Sequence, residues 1–237
     1  MKCPGLDIYT VIKIMFEQVS YNLRVHGYAV IPEFFKCSPE TLQFMKRRKR
    51  YAKPVFNPDK KRGQVKITPD VILQHKLVSL VEGLSTFLSV GQASLISSSA
   101  NCQRQRMHTD YEPRQMEGLE DSKIPLSAIL AIEAAGSSLY VNSYNTKIHF
   151  SQGDLLLFRG DTLHAGSDYI ESNLRIHWYI NSIYVYKPAN IAYFRRSTPS
   201  VRRLYEESNR SSEAYQGRYL RSDSRRLQTD GVTASHA

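Results

Sequence analysis

The chain has 237 residues, a formal net charge of +10 and 41% hydrophobic residues, enough for one packed domain with appendages. No apolar run is long enough to span a bilayer, and Lys13 and Glu17 interrupt the apolar stretch that a signal peptide would need, so an intracellular place, cytoplasmic or nuclear, is expected with no membrane partner. The three cysteines, Cys3, Cys37 and Cys102, form no CxxC pair, which argues against a disulfide scaffold or a zinc ribbon.

Ile8, Val11, Ile12, Met15, Phe16, Val19 and Leu23 recur at three- and four-residue steps and predict a helix over 6–25, with His26 at its end and Gly27 as its C-cap. Tyr28–Ile31 reads as a strand stopped by Pro32. Ser38 and Pro39 suit the N-cap and first position of a second helix that runs to about Arg50. Residues 51–68, with Pro54, Asn57 and Pro58, read as an exposed insertion. It overlaps a basic run: Lys46 to Lys66 holds ten Lys/Arg and one acid, Asp59, a net of +9. Such a run attracts nucleic acid or an acidic partner, or is simply a solvated, mobile surface. Lys46–Arg50 and Lys60–Arg62 also resemble a nuclear-localisation pattern. A third helix is predicted over 69–90, opened by Pro69 and ended near Gly91, with His75 on it and no matching ligand nearby.

From about 92 to 186 the texture becomes β-like. Candidate strands are Ala93–Ser97, Cys102–His108, Leu126–Glu133, Ser138–Tyr144, Thr146–Phe150, Asp154–Phe158 and Leu174–Tyr186, separated by turn residues. Three parts follow: 1–91 as helical support with a first strand and the basic insertion, 92–186 as a β-sandwich or barrel core, and 187–237 as a basic tail of net +5. The tail has few large apolar groups and reads as disordered apart from a loose helix near 199–209. The rest of the chain carries −4, so the core itself is not basic.

The chemistry concentrates in His108-Thr109-Asp110, then His164, which lies 54 residues after Asp110, then Arg175. Residues two apart on a strand face one side, so His108 and Asp110 point together if their strand reaches Asp110. Two imidazoles and a carboxylate can hold Fe(II) on one face and leave other positions open. Arg175, His177 and Tyr179 form a polar strand face opposite the apolar Leu174, Ile176, Trp178 and Ile180. A guanidinium there offers a planar fork to a carboxylate. His149 reads as structural or as pocket-lining, and His236 lies in the tail. The loop Tyr111–Lys123 follows the metal pair directly and reads as a lid over the substrate.

These residues resemble the signature of the Fe(II)/2-oxoglutarate-dependent dioxygenases: His-x-Asp, a distal His, and an Arg about ten residues on. Gly153–Gly166 is similar to that family's distal-histidine region, and His26–Phe35 resembles phytanoyl-CoA-hydroxylase-like and prolyl-hydroxylase-like members. The resemblance covers roughly residues 10–186. It implies an α+β fold, a double-stranded β-helix (jelly roll, cupin-like) core with N-terminal helices packed on one side. It also implies Fe(II) held by His108, Asp110 and His164, with Arg175 pairing with the far carboxylate of 2-oxoglutarate. A substrate would be hydroxylated or demethylated with release of succinate and carbon dioxide, and ascorbate is a further candidate cofactor. His177 departs from the small polar residue many members carry at that place, and so stands as a co-substrate neighbour. Tyr140 is another candidate co-substrate contact, unless Leu139 and Val141 face inward instead. Two other readings compete. One is a cupin-type metalloprotein of another class, which would favour His-x-His with a nearby Glu. The other is an inactive β-helix scaffold that binds nucleic acid or protein through its basic segments.

Overall fold

A computed structural model describes residues 8–55, 60–187 and 192–194. The chain divides into a unit Met1–Phe194 and a unit Arg195–Ala237. The second unit, with the expected 199–209 helix and His236, lies outside the described residues; of the tail expected over 187–237, residues 187 and 192–194 are described, and Tyr193–Phe194 form a strand.

Among the described residues, three α-helices and thirteen strands follow in order: α1 (Ile8–His26), β1 (Tyr28–Ile31), α2 (Pro39–Arg48), β2 (Lys53–Pro54), β3 (Arg62–Lys66), α3 (Val71–Leu84), β4 (Leu88–Val90), β5 (Ser94–Ser98), β6 (His108–Thr109), β7 (Leu126–Ala131), β8 (Ser137–Val141), β9 (Lys147–Phe150), β10 (Leu155–Arg159), β11 (His164–Gly166), β12 (Asn173–Ser182) and β13 (Tyr193–Phe194). They build two antiparallel sheets. The larger runs β1-β10-β7-β12-β5-β3-β2, with β4 also on β12; the smaller runs β13-β6-β11-β8-β9. Among the described residues no helix is long and apolar enough to cross a membrane.

The sequence explains most boundaries. Gly27 ends α1 at φ +80, a left-handed C-cap that glycine adopts without strain, and its N–H donates to the Leu23 carbonyl at 3.1 Å. A Cβ at Gly27 would also sit 2.8 Å from Thr162 Oγ1, so the helix end is drawn tightly onto the turn before His164. Ser38 caps α2 by accepting from Thr41 N, with Pro39 at the first helical position. Asp70 caps α3 by accepting from Ile72 N and Leu73 N.

The strand expected over Cys102–His108 is reduced to its last residue, since β6 begins at His108, and two further expectations fail for clear reasons. The 51–68 segment is not an exposed insertion: β3 pairs with β5 from Arg62↔Ser98 to Lys66↔Ser94, and Arg62 is only 2% exposed. One of its five residues, Val65, is a large hydrophobe, so no apolar alternation announces the strand. The third helix does not reach residue 90. It stops at Leu84, Ser85 turns extended, and Leu88–Val90 pairs with β12 as β4. Leu84 and Leu88 sit four apart and mimic one more helical turn.

Alternation along the central strands divides the core. Leu126, Ala128 and Leu130 of β7 and Leu174, Ile176, Trp178 and Ile180 of β12 share one buried cluster with Val19 and Leu23 of α1 and Leu73, Leu77, Leu80 and Val81 of α3. Their alternates Ile129 and Ala131, with Leu156 and Phe158 of β10, meet Leu139, Val141 and Phe150 of the smaller sheet in a second cluster. The sheets therefore face each other, and β12 turns Arg175, His177 and Tyr179 toward the space between them.

Candidate metal centre

The metal pair and the distal histidine come from two adjacent strands. β11 pairs with β6 through the single register contact His164↔His108, and their rings lie 4.4 Å apart. β6 ends at Thr109, so Asp110 is just beyond the strand rather than on it. It still turns to the same side: one ligand atom each from His108, Asp110 and His164 lie within 4.8 Å of one another.

The donor set fits a cation of the Fe(II) type. His108 Nδ1 is 2.7 Å from the Arg106 carbonyl and His164 Nδ1 is 3.0 Å from the Thr162 carbonyl. A carbonyl can only accept, so each Nδ1 carries the proton and each Nε2 keeps its lone pair for a metal. Burial lowers the His108 imidazole to about 4, aided by the charges of His164 and Arg62. Burial also lowers His164. Both rings are then neutral near pH 7. Burial works against a charged Asp110, but His164 and His177 outweigh it and hold this carboxyl below the usual carboxylate range. Two neutral imidazoles and one carboxylate are the ligand set of the facial triad.

The protonation pattern has a stability consequence. An unfolded histidine titrates near 6.5, against about 4 for His108 in the folded chain. Between those values the unfolded chain takes up a proton that the folded chain refuses, so stability falls as pH drops through the window, by about 1.4 kcal/mol per unit. Urea unfolding of metal-free protein should show a midpoint that declines steadily below pH 6.5; a flat midpoint down to pH 4.5 contradicts the buried neutral imidazole.

Around Asp110 lie Ser127 and Lys187, which sequence reading missed, and His177, which it had placed beside the co-substrate. Ser127 Oγ donates to Asp110 Oδ2 at 2.5 Å, and His177 Nε2 sits 3.7 Å from the same oxygen. Oδ1 faces His164 Nε2 at 3.8 Å. Lys187 Nζ donates to the Asp110 carbonyl and stacks over the Tyr111 and Tyr179 rings. The serine and His177 thus occupy one carboxylate oxygen and leave the other turned toward the histidines. Loss of such an outer partner costs about 10–100-fold in metal affinity, so Ser127→Ala should weaken Fe(II) binding by that factor in a metal titration. Unchanged affinity would remove Ser127 from the site. The only signal for it in the sequence was a hydroxyl in the otherwise apolar Leu126–Ala131 run.

Arg175 is 2% exposed, donates to Ser98 Oγ and Asn173 Oδ1 at 3.1 Å each, and lies over the Tyr169 ring. Among the described residues no carboxylate pairs with it. It stands two residues, about 7 Å, from His177 on the same strand face. Arg62, on the next strand but one, is buried against the same Tyr169 ring and donates to the Ser167 and Gln103 carbonyls. Nothing within the basic run distinguished it from its exposed neighbours.

Tyr140 is not brought to the triad: its hydroxyl donates to Asp168 Oδ1 at 2.9 Å, and Leu139 and Val141 fill the interior. His149 is exposed on β9, near Ser138 Oγ. The loop after Asp110 is pinned at its base, since Tyr111, Met116 and Ile124 form a buried cluster with Val185.

No family model matches this chain, and no curated protein does. Solved structures do. A Pseudomonas putida prolyl-4-hydroxylase superposes with a TM-score of 0.52 at 15% identity, covering 71% of this chain and 99% of that one. A Trichoplax adhaerens prolyl hydroxylase, in complex with a hypoxia inducible factor oxygen degradation domain peptide, gives 0.56 at 12%, covering 75% and 94%. The epimerase SnoN, in complex with Fe3+, alpha ketoglutarate and nogalamycin RO, gives 0.55 at 14%, covering 76% and 88%. The fold is that of the 2-oxoglutarate- and iron-dependent oxygenases. In this oxygenase fold the two facing sheets are the double-stranded β-helix that the resemblance implied, and the triad lies on its smaller sheet and the turn that follows β6.

Proposed function

We propose that the chain is an Fe(II)- and 2-oxoglutarate-dependent dioxygenase that hydroxylates or demethylates its substrate. The observation that carries this reading is the convergence of His108, Asp110 and His164 with both Nδ1 atoms already held by carbonyls. When bound, Fe(II) with 2-oxoglutarate and oxygen supplies the oxidising power, and 2-oxoglutarate leaves as succinate and carbon dioxide. The chain's own residues do the rest. His108, Asp110 and His164 hold the metal. Ser127 and His177 orient Asp110. Arg175 receives the far carboxylate of the co-substrate, which would give this buried cation an anionic partner. Its Ser98 and Asn173 hydrogen bonds set the plane of the fork.

Calorimetry of 2-oxoglutarate binding to the Fe(II)-loaded, oxygen-free protein tests the Arg175 assignment. Arg175→Met should weaken binding by roughly 10–150-fold, the worth of a charge-assisted hydrogen-bonded pair, and should leave Fe(II) affinity nearly unchanged. Equal weakening of both would assign Arg175 a structural role. Retained 2-oxoglutarate affinity would point to another anchor, for which Arg62 is placed beside the same ring.

A further inference from the structure

We propose that the groove beside the metal centre, with the basic segment that leads into it, binds single-stranded nucleic acid and presents a nucleotide to the triad. The groove has a volume of about 390 Å³ and is lined by Gln103, Arg104, Gln105, Arg106, Tyr144 and Asp168. Its walls are tied to two metal ligands. The Arg106 carbonyl holds His108 Nδ1. Gln105 N donates to the Gly166 carbonyl at 2.9 Å and Gln105 Oε1 accepts from Gly166 N at 3.1 Å, two residues beyond His164. Tyr144 is fixed as one rim: its hydroxyl donates to the Gln105 carbonyl and accepts from Met107 N, both at 3.2 Å. The Arg104 guanidinium lies 4.1 Å above the centre of that ring. The acid of the lining, Asp168, is already held by Lys147 at 3.4 Å and by Tyr140, so the lining as a whole presents positive charge.

The basic run joins this groove through the sheet. Ser99 N donates to the Lys61 carbonyl at 2.8 Å and Lys61 Nζ donates to the Asn101 carbonyl at 3.3 Å. Lys60 and Lys61 therefore flank the segment that continues into Gln103–Arg106. Upstream, Lys46, Arg47, Arg50, Lys53 and Lys60 are exposed, and Arg50 lies 4.9 Å over the exposed Tyr51 ring. Cations that track a backbone, interleaved with aromatic faces, are what single strands require: the charges meet phosphates and the rings stack bases. An acidic polypeptide would use the cations and leave both Arg–Tyr platforms idle. A duplex would have to flip a base out to reach ligands that are 9% exposed or less.

As a statement about substrate this rests on the oxygenase reading; as a binding surface it does not. The test is fluorescence anisotropy of a labelled 20-nucleotide oligothymidylate with metal-free full-length chain across a salt gradient. Log affinity should fall linearly with log salt, with a slope of about −0.7 per phosphate contact. Replacing both Lys60 and Lys61 by Ala should flatten the slope by about 1.4. Tyr144→Leu should weaken binding roughly 5–150-fold, and Arg104→Ala should flatten the slope by about 0.7. Melting curves that match wild type establish that the variants fold. No binding at low salt, slopes unchanged in the variants, or equal displacement by oligoglutamate overturns the proposal, the last in favour of an acidic protein partner. Binding with no succinate from any preparation would overturn the oxygenase reading alone; succinate without oligonucleotide binding would overturn this proposal alone.

Discussion

Replacing Trp178 by Ala lowers the stability of the fold by about 3–5 kcal/mol. Trp178 is fully buried on β12, the central strand of the larger sheet, between β7 and β5. It packs in the cluster that joins the sheet to α1 and α3, and its Nε1 donates to Gln74 Oε1 on α3 at 3.3 Å. The alanine variant loses the ring's burial, leaves a cavity in a close-packed interior, and frees a side-chain amide on α3. Tm should fall by roughly 6–20 °C in a chain of this size. Trp178→Phe keeps most of the volume and should cost much less. A loss under 1 kcal/mol on Trp178→Ala would mean that this cluster does not hold helices and sheet together. Because Trp178 neighbours His177 but faces the opposite side, Fe(II) affinity measured below the new Tm should change little.

Asp110→Ala removes the anionic ligand and should weaken Fe(II) binding by more than the ~10–100-fold that loss of an outer partner costs. The variant still presents two neutral histidines, which suit Zn(II) or Ni(II) better than Fe(II), so selectivity should shift as well as affinity. Metal titration of the wild type and Asp110→Ala with Fe(II) and Ni(II) under anaerobic conditions reads both effects. Iron affinity within threefold of wild type would exclude Asp110 from the ligand set.

The elements legible in sequence are those in which side-chain period and chemistry agree. Leu174–Ile180 alternates without a break, so both the buried face and the polar face of β12 could be assigned before the structure. His-x-Asp and the distal His were legible because ligation fixes residue type, whatever the local secondary structure. Asp110 falls outside β6 and still converges. β11 opens at His164 itself, and its register sets His164 beside His108.

What was not legible depends on long-range partners. β3 is a strand because β5 offers it a ladder, not because Arg62-Gly-Gln-Val-Lys66 has an apolar rhythm. The break between α3 and β4 carries no Pro or Gly, so the apolar positions ran on as if helical. Ser127, Lys187 and Arg62 became part of the site only through contacts across 17, 77 and 105 residues of sequence. No local pattern encodes such contacts. Tyr140 was drawn into consideration by the family's pattern, and the pleat at Leu139 and Val141 turns it the other way.

Three side chains, His108, Asp110 and His164, converge on one candidate iron site. The direct measurement is succinate formation from 2-oxoglutarate under oxygen with Fe(II) and ascorbate, comparing wild type with His164→Ala. Wild type should release succinate slowly even before its substrate is supplied, and His164→Ala none above background. Equal succinate from both proteins would contradict the iron site.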